Sequence, residues 1–355
     1  MAKLTEREKM VLYGLVRWPN LNDIELSKKI PVKRPTITAI RNKLKREDYF
    51  SDIIAPNFEM LGCEMLVFRY GSFNPIATYE VRKKYLAEIL EKFPEVFFRQ
   101  TSDSQRVSIS AYANFTEAMR YVEHAYMTYC KHDLLSNDGI RHIFFPLKLS
   151  KLLRFFDYSQ LLKRDFRINL KDDKSPLESV FRDVERREFT ENEKLVLYAL
   201  VKYPELNDRE IAKKVSMTRQ SINKMRKKFE VEGVIKRIRI PNIKKLDYEV
   251  LALVHFFNNP KYSMEDRREG LKHVLSYPAI VFLLVSNLES VVIGVEKTFT
   301  SLKKDYDKFL GWYKKADFIG KEPVMVVIPI EEIKEGTYGR YHQLVKKVLQ
   351  IKHEV

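Results

Sequence analysis

The chain has 355 residues, which is room for roughly two to four domains with cores of their own. Its hydrophobic fraction of 45% is ordinary for a globular protein, whereas its net charge of +16 is not. Such an excess of Lys and Arg favours a polyanionic partner, meaning nucleic acid or an anionic membrane surface. The two cysteines form no disulfide framework and fit a reducing cytoplasm.

No stretch of the sequence is typical of a membrane or export segment. The longest apolar runs, such as residues 279–285, are too short to span a bilayer. Residues 1–6 carry no apolar signal core. We therefore expect a cytoplasmic protein with no membrane partner.

The chain matches itself without a gap at an offset of 185 residues, so that residues 4–13 fall on residues 189–198. Roughly 40% of some seventy paired positions are identical, and a period this long indicates duplicated domains rather than a solenoid. The sequence therefore predicts two copies of one unit.

Three helices are expected at the start of each copy. A Thr-x-x-Glu capping box at residues 5–8, and again at 190–193, satisfies the free amides of a first helix start. A second, short helix follows. After a turn, apolar spacing predicts a third helix over about 35–47 in the first copy and 220–232 in the second.

An extended segment follows the third helix in each copy. Gly233 stands where a left-handed residue would end that helix, and Asp48 stands at the matching position. The extended segments cover residues 49–55 and 234–240. Three helices and a short ribbon describe a winged helix-turn-helix.

Basic residues concentrate on the third helix and its approach. Lys28–Arg46 holds eight basic residues and no acid, and Lys213–Lys228 holds seven and no acid. A single basic helix is usually a solvated face, but here the pattern occurs twice, after a tight turn, and with a basic wing. A helix of this size enters a major groove, where its middle meets base edges and its basic ends contact phosphates.

The candidate DNA-contacting residues fall into two groups. The predicted base-reading residues are Arg34, Thr36, Thr38 and Asn42, with Arg219, Gln220, Ser221, Asn223 and Lys224 in the second copy. The predicted phosphate contacts are Lys43, Lys45, Lys227, Lys228, Arg237 and Arg239. Arg41 is also a candidate, and it is considered with the family resemblance below.

The rest of each copy is predicted to run β-α-β-β-α-β, a ferredoxin-like sandwich with one open sheet face. The first copy has strands over 65–70, 96–101, 106–112 and 142–147, and helices over 79–92 and 116–130. The second has strands over 250–257, 280–286, 290–295 and 324–330, and helices over 263–276 and 300–312. We expect the duplicated domain to cover the open sheet face of its partner.

The predicted fold class is α+β, with two winged helix-turn-helix domains each followed by a ferredoxin-like domain. The predicted domains are a first helix-turn-helix over 1–60, a first ferredoxin-like domain over 61–165, a charged linker over 166–188, a second helix-turn-helix over 189–245 and a second ferredoxin-like domain over 246–355. Within the linker, Ser175-Pro176 predicts a helix start.

This order of elements resembles the Lrp/AsnC (feast/famine) transcription regulators. The second copy carries the resemblance in Leu206–Val215, Glu232–Arg237 and Ile240–Glu249. Members of that family usually pair through their β-α-β-β-α-β domains, so the resemblance implies a dimer fused into one chain. A weaker resemblance is to archaeal duplicated regulators, of the archaellum-activator type or the type that recruits the basal factor TFB.

The sequence departs from the family pattern at two places. The turns over 102–105 and 287–290 lack the glycine of family effector sites, which puts amino-acid sensing in doubt. Arg41 and Arg226 occupy a helix position that is usually apolar. They either pair with an acid inside the module or contact DNA, and the residues favour neither reading.

Motifs for enzymatic or metal chemistry are missing from the sequence. There is no phosphate loop, no Cys-x-x-Cys and no metal-ligand spacing among the seven histidines. We therefore expect no catalytic residue, no metal and no cofactor.

The sequence predicts a sequence-specific double-stranded DNA-binding transcription regulator that acts as an intramolecular pseudo-dimer, with higher oligomers open. In the alternative, one copy binds DNA and the other recruits a basal transcription factor or another protein. Acids around the first wing, at Glu47, Asp48, Asp52 and Glu59, favour that alternative. An RNA-binding sheet is disfavoured because the central strands lack an aromatic stacking motif.

Overall fold

A computed structural model of the chain describes residues 4–171, 177–181 and 185–352. The helix start predicted at Ser175 and Pro176 lies outside the described residues. The helices are α1 (Glu6–Arg17), α2 (Asp23–Ser27), α3 (Arg34–Arg46), α4 (Phe58–Leu61), α5 (Tyr79–Lys92), α6 (Phe115–Lys131), α7 (Ser159–Asp165), α8 (Glu191–Lys202), α9 (Asp208–Lys214), α10 (Arg219–Glu232), α11 (Arg268–Leu275), α12 (Phe299–Lys315) and α13 (Tyr341–Val348).

The strands give a mixed α/β fold. They are β1 (Phe50–Pro56), β2 (Met65–Phe73), β3 (Val96–Thr101), β4 (Gln105–Tyr112), β5 (Leu135–Pro146), β6 (Ser150–Arg154), β7 (Ile235–Pro241), β8 (Val250–Asn258), β9 (Ile280–Ser286), β10 (Glu289–Glu296), β11 (Ile319–Pro329) and β12 (Glu335–Tyr338).

The chain forms two compact units, and each is built from three separate segments. Unit 1 consists of Met1–Ile53, Lys151–Val180 and Arg237–Glu331. Unit 2 consists of Ile54–Ser150, Phe181–Lys236 and Glu332–Val355. The domain boundaries predicted from the sequence are not tested by this division and remain a prediction.

Unit 1 contains helices α1–α3 and α7 and a five-stranded sheet of order β11-β8-β10-β9-β6. β8, β9, β10 and β11 pair antiparallel. Helices α11 and α12 cover one sheet face, where Val254, Leu283 and Val292 form a core with Phe309 of α12. The apolar side chains on this face of the sheet pack against the apolar faces of the two helices.

Unit 2 contains helices α8–α10 and α13 and a five-stranded sheet of order β12-β3-β4-β2-β5. β2, β3, β4, β5 and β12 pair antiparallel. Helices α5 and α6 cover one face, and Val67 packs there with Tyr121 and Tyr129 of α6. On the other face the rings of Phe97 and Tyr341 lie 4.9 Å apart.

Local sequence signals fix the helix ends. Both predicted capping boxes are present: the Glu8 carboxylate accepts from the Thr5 N–H at 2.8 Å, and Glu193 accepts from Thr190 at 3.1 Å. α3 is followed by Asp48 at φ 54 and α10 by Gly233 at φ 74, both left-handed as expected. Gly233 accommodates this backbone without a side chain that would strain it.

The segments predicted as wings do not fold back within their own modules. In unit 1, the Asn242 N–H donates to the carbonyl of Tyr49 at 2.8 Å, at the joined ends of β1 and β7. In unit 2, the Asn57 N–H donates to the carbonyl of Val234 at 2.8 Å. Strand β1, which follows α3, therefore pairs with strand β7, which follows α10.

Candidate nucleic-acid interface

The third helix of unit 1, α3, buries one narrow face and exposes the other. Ile37 and Leu44 are fully buried, and no acid interrupts the exposed side. Asp23, at the start of α2, holds the helix in place: its carboxylate accepts from the Thr38 hydroxyl at 2.7 Å and pairs with the Arg41 guanidinium at 2.5 Å. One acid thus connects the two helices of the turn.

Helices α8–α10 of unit 2 use the same arrangement. Ile222 and Phe229 of α10 are fully buried. Asp208, at the start of α9, accepts from the Asn223 amide at 2.7 Å and from Nε of Arg226 at 2.7 Å. Arg41 and Arg226 therefore pair with an acid inside their own modules, which answers the question that the sequence left open.

A second ion pair ties each third helix to the first helix of its module. Nζ of Lys43 lies 2.6 Å from the Glu8 carboxylate, and Nζ of Lys228 lies 3.0 Å from that of Glu193. The hydrogen bond from Lys43 lowers the pKa of Glu8, and Glu8 in turn raises the pKa of Lys43. Glu8 and Glu193 are not predicted from the sequence as partners of these lysines, although their capping-box spacing places them at the helix start.

Each third helix keeps a stripe of side chains that are exposed. Within the described residues, the side chains of these positions make no hydrogen bond or ion pair; they are Arg34, Asn42 and Lys45 on α3, and Arg219, Gln220, Lys224 and Lys227 on α10. Asn42 and Lys45 are three residues apart, and Gln220, Lys224 and Lys227 are four and three residues apart, so each of these sets shares a helix face. Arg34 and Arg219 lie in the first turns of α3 and α10. Lys43 and Lys228 lie beside these stripes, half-buried and exposed respectively.

The remaining polar candidates of the two helices are less available. Thr36 is half-buried, and Thr38 is exposed but bonded to Asp23. Ser221 is half-buried and its hydroxyl lies 2.8 Å from that of Thr218, the residue that caps α10. Asn223 is half-buried against Asp208.

The two basic residues of the second wing are placed differently from what the sequence indicated. Arg239 is buried, and its Nε donates to Asp52 at 2.8 Å. Arg237 lies 3.5 Å from the same carboxylate. A phosphate contact by Arg239 would require this buried pair to open, so we leave Arg239 out of the proposed DNA-contacting set.

The acids that favoured a protein-binding first wing are engaged with basic residues. Asp52 pairs with Arg239, and Glu59 with Lys148 at 3.4 Å. Asp48 lies 3.7 Å from Lys245, and Glu47 lies 3.9 Å from Arg46. They do not form an uncompensated acidic patch.

Neither a membrane-spanning helix nor a metal-binding group of side chains occurs in the part of the chain that the structure describes. No helix there combines the length and apolar character that crossing a bilayer requires. In the same residues, no group of three or more His, Cys, Asp or Glu side chains is arranged to hold a metal ion.

Comparisons with known proteins find partial likenesses to solved structures. An AsnC family transcriptional regulator from Agrobacterium tumefaciens is 18% identical, with 42% of this chain and 95% of that chain covered and a TM-score of 0.35. AsnC from E. coli is 16% identical over 40% of this chain and 92% of its own, with a TM-score of 0.33. An anthrone oxidase-like protein is 8% identical over 78% of this chain and 93% of its own, with a TM-score of 0.36.

No family model matches the chain. No curated protein matches it either. Several of the similar structures are AsnC/Lrp family transcriptional regulators, each over about 40% of this chain, and likenesses this distant do not assign the chain to a family.

Proposed function

We propose that the chain is a sequence-specific double-stranded DNA-binding transcription regulator in which the two copies act together as an intramolecular pseudo-dimer. The observation that carries the proposal is the pair of exposed stripes on α3 and α10, each rich in Lys and Arg. Asp23 and Asp208 fix these helices against their modules, so the stripes are presented on rigid elements.

The chemistry of the stripes suits a DNA duplex. Arg can donate two parallel hydrogen bonds to guanine, and Asn or Gln can do the same with adenine. Arg34 and Asn42 on α3, and Gln220 on α10, supply these groups. Lys224 on α10 can likewise donate to guanine. Lys45 and Lys227 supply positive charge for phosphates, which dominate affinity but carry no sequence information.

The duplication and the pseudo-dimer belong to the same proposal. The repeated pattern in the sequence supports two readers in one chain, and fusion raises the effective concentration of the second reader to about the millimolar range once the first has bound. Because the reading residues of the two copies differ, the expected site is an imperfect palindrome with half-sites about one helical turn apart.

Three double variants of the full-length chain test the proposal, and each removes two positive charges. R34A/K45A acts on α3, and K224A/K227A acts on α10. The matched control is K304A/K308A, which removes two exposed lysines from α12. The probe is a duplex selected from random sequences by the wild-type chain.

We expect R34A/K45A and K224A/K227A each to lower affinity for the selected duplex by about tenfold or more, with a shallower salt dependence. Hydroxyl-radical footprinting should show each variant losing protection over one half-site only. The control should change affinity by less than about twofold. Binding that is independent of salt, or equal losses in all three variants, would contradict the proposal.

The same series separates the alternative in which only one copy binds DNA. If R34A/K45A keeps full affinity while K224A/K227A abolishes binding, α3 is left for another partner, such as a basal transcription factor. Full-length variants are needed here, because a chain cut after residue 165 would divide both compact units.

A further inference from the structure

The sheet of unit 2 carries a row of polar side chains, two of them buried arginines, where an apolar row would be expected. Arg99, Ser108, Arg69 and His142 lie side by side across β3, β4, β2 and β5. Arg69 is fully buried, and Arg99 is 2% exposed. Arg106, which lies two residues before Ser108 on β4 and therefore on the same sheet face, is also 2% exposed.

The sheet of unit 1 shows what this row looks like without arginine. Across β9, β10, β8 and β11, the corresponding register row reads Leu283, Val292, Val254 and Met325. All four belong to or pack against the hydrophobic core of that unit. An apolar row therefore suits a sheet of this strand order, and the row of unit 2, with its two arginines, departs from that pattern.

Two of the buried guanidinium groups have neutral partners. Arg69 donates to the hydroxyls of Ser108, Ser110 and Tyr112, and it stacks on the Tyr121 ring with 4.0 Å to the ring centre. Arg106 donates to the Tyr129 hydroxyl. Within the described residues, no carboxylate pairs with either group.

Burying an unneutralised guanidinium costs several kcal/mol. Arg69 and Arg106 therefore destabilise the fold unless a nearby anion offsets their charge. The positive charge of the three arginines lowers the pKa of the neighbouring Tyr121. Burial alone would raise the pKa of Tyr121, but the positive charges of Arg69, Arg106 and Arg99 outweigh it and lower that pKa.

Of the three buried arginines, Arg69, Arg99 and Arg106, only Arg99 lines the cavity described next. Its Nη2 pairs with Glu335, whereas its Nε and Nη1 are buried and have no hydrogen-bond partner. A cavity of about 70 Å³ is lined by Arg99, Thr337, Arg340 and Gln343, together with apolar residues of α5, β3 and the segment between them. Thr337 lies directly opposite Arg99 in the pairing of β12 with β3, so the two side chains share a face.

The lining combines a buried cation, an exposed cation, a hydroxyl and an amide. Arg340 is exposed, and its side chain makes no ion pair with the described residues. Two guanidinium groups that converge with neutral donors are the usual means by which proteins hold a phosphate or a carboxylate. The volume suits a single such group rather than a nucleotide or a peptide.

We propose that unit 2 binds a small oxyanion, the phosphate or carboxylate group of a metabolite, in the cavity between Arg99 and Arg340. The unpaired N–H groups of Arg99 donate to the anion at the buried end of the cavity, and the guanidinium of Arg340 binds the anion at the exposed end. Arg69 and Arg106 add positive potential behind Arg99. Unit 1 has Leu283 in place of Arg99, so the site belongs to one unit only.

The test measures anion binding to the full-length chain by calorimetry and by the thermal unfolding midpoint. Inorganic phosphate and succinate are separate arms, and sodium chloride at equal ionic strength is the reference. R340A changes an exposed residue and so leaves the fold intact. R141A, which removes an exposed Arg from β5, is the matched control. R99L installs the residue found at the matching register position of unit 1.

We expect the wild-type chain and R141A to bind one of the two anions, with binding weakened at least about tenfold in R340A and in folded R99L. Binding of inorganic phosphate would identify the ligand group as a phosphate, and binding of succinate would identify it as a carboxylate. The exposed faces of α3 and α10 also attract phosphate, so dependence on Arg340 is the deciding result. No binding of either anion at millimolar concentration, or equal binding in R340A and wild type, would overturn the proposal.

No DNA is present in this experiment. Its outcome is therefore separate from that of the proposed DNA binding, and either proposal can fail alone.

Discussion

The guanidinium of Arg239 donates from Nε to the carboxylate of Asp52 at 2.8 Å, although 187 positions separate the two residues in the chain. The same guanidinium donates from Nη1 to the carbonyl of Leu15 at 3.1 Å. Within unit 1 it therefore joins α1 to both β1 and β7. Burial lowers the pKa of Arg239, and the Asp52 charge opposes that effect.

Replacing Asp52 by Asn should destabilise the protein strongly. The side chains of Asp52 and Arg239 are 11% and 8% exposed, so the variant would leave a buried guanidinium without its counter-charge. Removing one partner of such a pair costs about 3–5 kcal/mol. The free energy of unfolding in urea measures the loss.

A suitable control for this variant is D48N, which removes an exposed acid of the same segment. The Asp48 side chain is 68% exposed, and a surface pair of this kind contributes about 0–1 kcal/mol. The double variant D52N/R239M should recover part of the loss, because it no longer buries a charge. Equal effects of D52N and D48N would contradict the placement of Asp52.

The acid that pairs with an arginine of each third helix, α3 or α10, should show a measurable coupling to that arginine. Asp208 and Arg226 are 16% and 12% exposed at the side chain and lie 2.7 Å apart. A double-mutant cycle with D208N and R226M should give a coupling energy of about 1–3 kcal/mol. The exposed Glu265–Arg268 pair at 2.9 Å is the control, with a coupling of at most about 0.5 kcal/mol.

This cycle also connects stability to DNA binding. If Asp208 positions α10, D208N should weaken DNA binding even at temperatures where the protein stays folded, since a displaced helix no longer fits the groove. A coupling energy indistinguishable from that of the Glu265–Arg268 pair would show that α9 and α10 are held by apolar packing alone.

Helices and most strands could be predicted from the sequence because their signals are local. The Thr-x-x-Glu boxes define the starts of α1 and α8, and α5 covers Tyr79–Lys92 as the apolar spacing predicts. The bounds of α3 differ from the prediction by one residue at each end. The duplication itself and the proposed DNA contacts remain predictions.

Other features could not be predicted because they depend on pairing between distant segments. Backbone hydrogen bonds between strands carry no residue code, so the sequence did not indicate that β12 pairs with β3 or that β7 pairs with β1. The burial of Arg239 follows from the second pairing. Because the sequence does not show that β7 lies beside β1, Arg237 and Arg239 are predicted as phosphate contacts. In the structure both arginines lie beside the Asp52 carboxylate.

The two cysteines should differ sharply in reactivity. Cys63 is buried, and burial raises the pKa of its thiol to about 12, whereas Cys130 is exposed. Only the thiolate is a nucleophile, so at pH 8 the Cys63 thiol remains protonated and inaccessible. A disulfide reagent should label one thiol in the native protein and two after denaturation.

The variants C130S and C63S assign the labelled thiol. C130S should abolish native labelling, and C63S should leave it unchanged. Two rapidly reacting thiols in the native wild-type protein would contradict the burial of Cys63.

His142 should remain neutral through the whole physiological pH range. Its pKa is lowered to about 3, first because burial disfavours the charged imidazolium and then because Arg69 and Arg106 repel it. Its imidazole proton signals in NMR should therefore show no titration between about pH 5 and 8, where an ordinary histidine with a pKa near 6.5 does titrate.

The lowered pKa has a definite consequence for stability. Because the unfolded chain binds the proton more readily than the folded chain, the contribution of His142 is constant above about pH 6.5 and stability falls as the pH drops below that value. H142M installs the residue that Met325 provides in unit 1, so it should remove this part of the pH dependence and keep the packing. If His142 titrates near pH 6.5, then Arg69 and Arg106 do not face it, and the row formed by Arg99, Ser108, Arg69 and His142 is not assembled in solution.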